Sequence, residues 1–196
     1  MYHFYHTEGF VLGSAPYGEA DKYFKLYTEE LGLITASAKS VRALRSKLRY
    51  HLGDGNHSFF TLVRGKELWR ITNSSSIYAP NNHFPDAVGE TKIIARIFLL
   101  LRRLVHGEER NALLFQTVKQ AVCFISKKEL STEDYDYFET LVAFRILFTL
   151  GYIKNEEPFC QFLSSVFITK ETLREFSPFR RIAVSKINSA LKASNL

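Results

Sequence analysis

Two hydrophobic periods divide the chain. Over the first part, apolar residues fall in short runs bounded by Gly, Pro and acidic turns, which is how strands read. Thr7 to Ser14 (TEGFVLGS) is the first run, and Pro16-Tyr17-Gly18 follows as a turn. Tyr23 to Thr28 (YFKLYT) is rich in β-formers, and Glu29-Glu30-Leu31-Gly32 ends it. Leu33 to Ala38 (LITASA) predicts a third strand. Ser58 to Arg64 and Leu68 to Thr72 flank Gly65 and read as a hairpin closed by Arg64-Gly65-Lys66-Glu67. Short strands with tight turns predict a small closed barrel, because closure removes exposed edges.

Asn73-Ser74-Ser75-Ser76 is polar and turn-like, and Ala79-Pro80-Asn81-Asn82 with Phe84-Pro85 extends the break. The domain boundary is placed here, giving a barrel over 1–80 and a helical domain over 81–196. Beyond it the period changes. Ile94, Ile97, Phe98, Leu101, Leu104 and Val105 recur at helical spacing until His106-Gly107. Asn111 to Ser126 predicts a second helix with Leu114, Val118, Ala121, Val122 and Ile125 on one face. Ser131 stands three residues before Asp134 and starts a third helix as a capping box. Its apolar face runs Tyr137, Leu141, Phe144, Phe148, and Gly151 ends it. Phe159 to Val166 and Pro178 to Leu191 also read as helical. The fold class is α+β, a barrel followed by helices.

With 17 Phe and 10 Tyr, the 196 residues carry enough large rings to offset the entropy of ordering the backbone. The opening residues hold no Lys or Arg before an apolar run, so no signal peptide is expected. Ile97 to Leu101, the longest apolar run, is far shorter than the ~20 residues a bilayer span needs. Two cysteines, Cys123 and Cys160, imply no disulfide framework. A cytoplasmic location is the expectation.

Charge changes the picture most. Between Lys39 and Arg70, Lys39, Arg42, Arg45, Lys47, Arg49, Arg64, Lys66 and Arg70 stand against Asp54 and Glu67, a local balance of 8 − 2 = +6. That equals the net charge of the whole chain, so the remainder balances. Positive charge concentrated in this way fits a polyanion partner. Ser40 and Ser46 are interleaved as donors to phosphate oxygens. A solvated charged loop is the competing reading. Arg64, Lys66 and Arg70 extend the stretch onto the hairpin. Trp69, Tyr23 and Phe59 are expected to fill the barrel, with base stacking as the alternative.

Catalysis and metal binding find no support in the motifs. The histidines, at 3, 6, 51, 57, 83 and 106, form no i, i+4 pair and have no Cys-x-x-Cys partner. A nucleophile elbow and a phosphate-cradling Gly-rich loop are both missing from the sequence. Glu29-Glu30, Glu108-Glu109 and Glu156-Glu157 read as solvated pairs beside turns. The expectation is a protein without catalytic residues, metal or cofactor.

Several segments resemble the RecO family of bacterial recombination mediators. They are Thr7-Glu8-Gly9-Phe10-Val11-Leu12, Tyr17-Gly18-Glu19-Ala20-Asp21-Lys22, Leu26 to Gly32, Ala38-Lys39-Ser40-Val41-Arg42, Ser46-Lys47-Leu48 and Leu62 to Trp69. Phe138-Glu139 through Leu147 and Leu150-Gly151-Tyr152 resemble the family's central helix. The resemblance implies an N-terminal OB-fold and a helical C-terminal domain. It implies binding of single- and double-stranded DNA, strand annealing and recombinase loading in DNA repair, with a nucleoid-associated location. Expected partners are RecR and the acidic, Phe-ended tail of single-strand-binding protein (SSB). Arg102 with Arg103, or Arg180 with Arg181, is a candidate rim for that tail. DNA contact carries over to Lys39, Arg42 and Lys47, with Arg45 and Arg49 as neighbours. Some family members hold a four-Cys zinc module after Leu-Gly-Tyr; here only Cys160 stands there, so the module is absent or reduced to its scaffold. From charge alone, an RNA-binding OB module or translation-associated factor and a metal-dependent nuclease stay open.

Overall fold

The computed structural model describes residues 3–79, 88–127 and 130–193. Five strands form a closed barrel in the order β1-β2-β3-β5-β4. They are β1 (Phe4–Tyr17), β2 (Asp21–Thr28), β3 (Gly32–Ala38), β4 (His57–Arg64) and β5 (Trp69–Tyr78). All neighbours are antiparallel except β3 and β5, whose parallel pairing of Ala36 with Trp69 and Ser37 with Arg70 closes the ring. Period-two alternation selects the interior. Phe24 and Leu26, Ile34, Ala36 and Ala38, Phe60 and Leu62, Trp69 and Ile71 all point into one core with Val11.

The connection from β3 to β4 closes one end of the barrel. Val41 and Leu52 belong to the barrel core, and Leu48 packs against it from the short 3-10 turn Leu48–Tyr50. Val105–Asn111 belongs to the same compact unit as the barrel. There Leu33 donates its backbone N–H to the Gly107 carbonyl. Gly32 sits at φ +64°, where a Cβ would lie 2.3 Å from the Glu109 carbonyl oxygen. Only glycine accommodates both the left-handed backbone and this approach.

Lys92–Leu104 and Ala112–Leu196 form the second compact unit. Its elements are α1 (Val88–Leu104, shared with the barrel unit), α2 (Ala112–Ile125), α3 (Thr132–Thr149), α4 (Cys160–Leu163), α5 (Lys170–Phe176) and α6 (Arg180–Ala193). The expected capping box at Ser131 and Asp134 is present in full. Helix α3 is central and packs against α2, α4, α5 and α6. An aromatic cluster joins it to the following segments, with Phe144 and Phe159 ring centroids 4.6 Å apart and Phe162 and Phe176 5.3 Å apart. Within this unit the Arg145 guanidinium is buried. Its Nε donates to the Phe162 carbonyl at 2.8 Å, and Nη1 donates to those of Val166 and Phe167 at 3.1 Å. Burial lowers its pKa to about 10, so it stays charged at neutral pH and ties the segment after α4 to α3.

Several sequence expectations need correction. Strand β1 continues through Pro16 and Tyr17, and the turn is Gly18–Ala20. Asn73 to Ser76 is strand, because β4 supplies a complete pairing partner for each of these residues. Polar composition marks a turn only where no neighbouring strand offers a ladder. Helix α3 is buried on more than one face, with Phe138, Val142, Ile146 and Leu147 inside as well as Leu141 and Phe144. The expected helix from Phe159 to Val166 shrinks to Cys160–Leu163, and α5 was not anticipated although Thr169 caps it. The boundary expected near residue 80 falls beside residues 80–87, which lie outside the described residues.

Candidate nucleic-acid interface

The cationic stretch is the first half of the crossover that plugs the barrel. Its backbone is fixed at the base. Ser40, at φ 53°, donates its N–H to Asp21 Oδ1 at 2.7 Å, and Arg42 donates its N–H to the Ala20 carbonyl at 2.9 Å. Ala43 N–H reaches the Ser40 carbonyl and Ser46 N–H the Ala43 carbonyl, giving two consecutive turns. With Val41 and Leu48 taken by the core, the residues between them face water, except the half-buried Ser46. Lys39, Arg42, Arg45, Lys47 and Arg49 are all exposed. Arg42 Nη1 donates to the Gly18 carbonyl at 3.4 Å, and the Arg49 guanidinium lies 4.7 Å from the centroid of the Tyr50 ring. None of the five has an acidic partner among the described residues.

Beside the loop lies the outer face of β2, β3 and β5. Registers place Ala15, Tyr23, Ser37 and Arg70 in one row across β1, β2, β3 and β5. Adjacent strands stand ~4.8 Å apart, so Arg70 is about 10 Å from Tyr23 across the sheet. Lys25 and Thr35 form the next row on the same face. Tyr17, 54% exposed, packs against Tyr23 with ring centroids 4.4 Å apart. Its hydrogen bond to Tyr23 is the main cause raising the Tyr23 phenol above its ordinary pKa, so the Tyr23 ring stays neutral at physiological pH. Asp21, the first residue of β2, and Glu67 of the β4–β5 hairpin add to that shift, so carboxylates also stand near this face.

The eight sequence-selected cations therefore separate into groups. The five loop residues share one short anchored segment. Arg70 lies in the row with Tyr23. Lys66 is exposed on the hairpin, toward the opposite end of β3 from Lys39. Arg64 is committed elsewhere: its guanidinium pairs with Glu108 and lies 4.7 Å from the Trp69 ring centroid. Glu108 also accepts from Trp69 Nε1 at 3.1 Å.

The aromatic expectations divide likewise. Trp69 is in the core as expected. Tyr23 and Phe59 are not: Tyr23 joins the exterior tyrosine pair, and Phe59 is 53% exposed on the outside of β4. Each alternates with an interior ring, Phe24 or Phe60, and only one of two neighbours enters a barrel. Tyr17 and Lys25 were not singled out from the sequence. The charge of Lys25, two residues from Tyr23, was the signal that this register of β2 faces water. Among the described residues no group of three or more His, Cys, Asp and Glu is arranged to hold a metal ion. His57 instead faces Glu8 in a buried pair, Nε2 to Oε1 2.6 Å, and stacks on Phe10.

Exposed cations, ring faces and hydroxyls can together hold phosphates and stack bases. A small closed barrel carrying them on one side belongs to the OB-fold class. Residues 1–79 match the family model described as "Recombination protein O N terminal". Similar proteins are the "DNA repair protein RecO" of Alkaliphilus metalliredigens, 27% identical over 65% of this chain and 51% of the relative, and that of Dehalococcoides mccartyi, 41% identical over 58% and 45%. The protein of the same description from Thermodesulfovibrio yellowstonii is 29% identical over 77% of this chain and 59% of its own length. Over its first 79 residues the chain is thus similar to the N-terminal domain of RecO proteins. It spans about half the length of the curated relatives it matches. No helix among the described residues is long and apolar enough to cross a membrane.

Proposed function

We propose that this chain is a DNA-binding recombination mediator that acts in repair without covalent chemistry of its own. The observation that carries the reading is the anchored loop with Lys39, Arg42, Arg45, Lys47 and Arg49 exposed beside the Tyr17–Tyr23 pair. The loop neutralises phosphates, while the tyrosine faces and Arg70 receive bases and backbone of an unpaired strand. Duplex binding needs the cations alone. Holding two strands on one basic surface screens their mutual repulsion and favours annealing. The similarity to DNA repair proteins supports the choice of DNA.

RecR and the SSB tail are the proposed protein partners, which together with this chain load recombinase onto SSB-coated DNA. An acidic, Phe-ended peptide needs cations around an apolar seat. Arg102 and Arg103 are exposed on α1, as is Arg181 on α6. Arg180 Nη2 is 3.2 Å from Asp136 Oδ2, which makes the α1 pair the better rim.

The test is salt-dependent binding and annealing of labelled oligonucleotides by wild type and by a variant with all five loop cations changed to Gln. Five phosphate contacts on a single strand predict a log–log salt slope of about −3.5. The variant should lose most of that slope and the annealing activity while keeping its melting temperature. Unchanged affinity and slope in the folded variant refute the reading. A strong preference for RNA over DNA of the same sequence would favour a translation-associated factor instead.

A further inference from the structure

Leu44 is the most exposed large apolar side chain among the described residues, at 86%. Scattered apolar residues on a surface need no explanation. This one differs in its setting. Val41 and Leu48, three residues before and four after it, are taken up by the barrel core, so the segment already has its apolar anchors. Leu44 projects from the second of the two turns, which closes through Ser46 N–H and the Ala43 carbonyl. Arg42 and Arg45 flank it, and Lys47 and Arg49 follow, all exposed. The bonds from Ser40 to Asp21 and from Arg42 to Ala20 hold the base of the turn to the barrel. A fixed apolar tip ringed by cations is the arrangement with which proteins part stacked bases while gripping the phosphates on either side.

We propose that Leu44 is a wedge that inserts between neighbouring bases of the DNA held by the loop and unstacks them. The inference rests on the DNA-binding reading above and adds the residue that distorts the bound strand. It separates two jobs within one loop. The cations set affinity and its salt dependence; Leu44 sets the state of the bases. A membrane surface is the other environment that takes a leucine amid cations. One side chain gives a weak hold on a bilayer compared with the multiple anchors stable attachment requires.

The full chain is titrated onto single-stranded and duplex oligonucleotides carrying 2-aminopurine, whose emission rises when its neighbours unstack. Wild type at saturation should raise the emission several-fold. Leu44→Ala should abolish most of that rise, keep the salt slope, and weaken binding by no more than about tenfold. Leu44→Phe should restore the rise. An equal rise with saturating Leu44→Ala, or no rise with saturating wild type, overturns the wedge while leaving DNA binding intact. No binding by wild type at low salt overturns the DNA-binding reading and the wedge with it. Anionic phospholipid vesicles are the remaining arm: Leu44-dependent vesicle binding beside a Leu44-independent emission rise assigns the tip to a membrane and overturns the proposal.

Discussion

Arg64 provides the sharpest separation between charge counted in the sequence and charge available to a ligand. Its guanidinium pairs with Glu108 and covers Trp69, so it is electrically and sterically committed. The side chains of Arg64 and Glu108 are 49% and 43% exposed, and solvent screening keeps such a pair to ~0.2–1 kcal/mol. The exposed cation–π contact adds about 0.5–1 kcal/mol. Arg64→Gln should therefore cost stability on the order of 1 kcal/mol. Its effect on the salt slope should be nil, because an already paired cation displaces no counterion from DNA. Freed Glu108 lowers affinity a little through repulsion, again without changing the slope. Lys39→Gln or Lys47→Gln should do the reverse. Each should reduce the slope on single strands by about 0.7 and leave stability unaltered. Fluorescence anisotropy of a labelled oligonucleotide across a salt series reads the first quantity. Urea unfolding followed through Trp69, the sole tryptophan, reads the second. An Arg64→Gln slope reduced as much as that of Lys39→Gln would refute the argument, since the pair would then open to release its cation to DNA.

Two further predictions concern the scaffold. Gly32→Ala places a Cβ 2.3 Å from the Glu109 carbonyl oxygen at a φ of +64°. The left-handed backbone alone costs roughly 1–2 kcal/mol for a residue with a Cβ, so the loss should exceed ~2 kcal/mol in the same urea assay, and an unchanged midpoint would contradict it. In the helical unit, Lys186 Nζ bonds Glu156 Oε2 at 2.9 Å and holds the Glu156 carboxyl below its ordinary pKa. A depressed folded-state pKa contributes stability that is present above the unfolded value and is lost as pH falls through the folded one. Melting temperature should therefore decline on acidification more in wild type than in Glu156→Gln; identical acid profiles would show that the pair contributes nothing.

Much of the architecture was legible because it rests on local period. The short runs YFKLYT and LITASA on either side of the Glu29–Gly32 turn located β2 and β3, and the Ser131–Asp134 capping box located the start of α3 to the residue. The errors have a common cause. A period names the two faces of an element without saying what covers each. Asn73 to Ser76 read as a turn because its polarity was judged alone, whereas the ladder to Ser58 through Thr61 satisfies its backbone. Helix α3 read as one-sided because the sequence does not announce that α2, α4, α5 and α6 all pack against it.

The site shows the same boundary between local and long-range information. Lys39 to Arg49 could be found by counting, since the proposed site is a set of cations close together in sequence. The choice between Tyr23 and Phe24 for the exterior was also available, because Lys25 and Tyr23 share a face and a lysine head group stays in water. What counting cannot supply is pairing. Glu108 lies 44 residues from Arg64, and only the fold brings it to the hairpin. The local excess of positive charge is thus an upper bound on what a polyanion meets: one of the eight cations is spent on Glu108 and Trp69, while the five that share the anchored loop keep their charge for a ligand. Leu44 inverts the lesson. Its spacing from Val41 and Leu48 is that of a buried helical face, yet the chain turns there instead of coiling, and the residue that periodicity assigns to the core stands at the tip of the cationic loop.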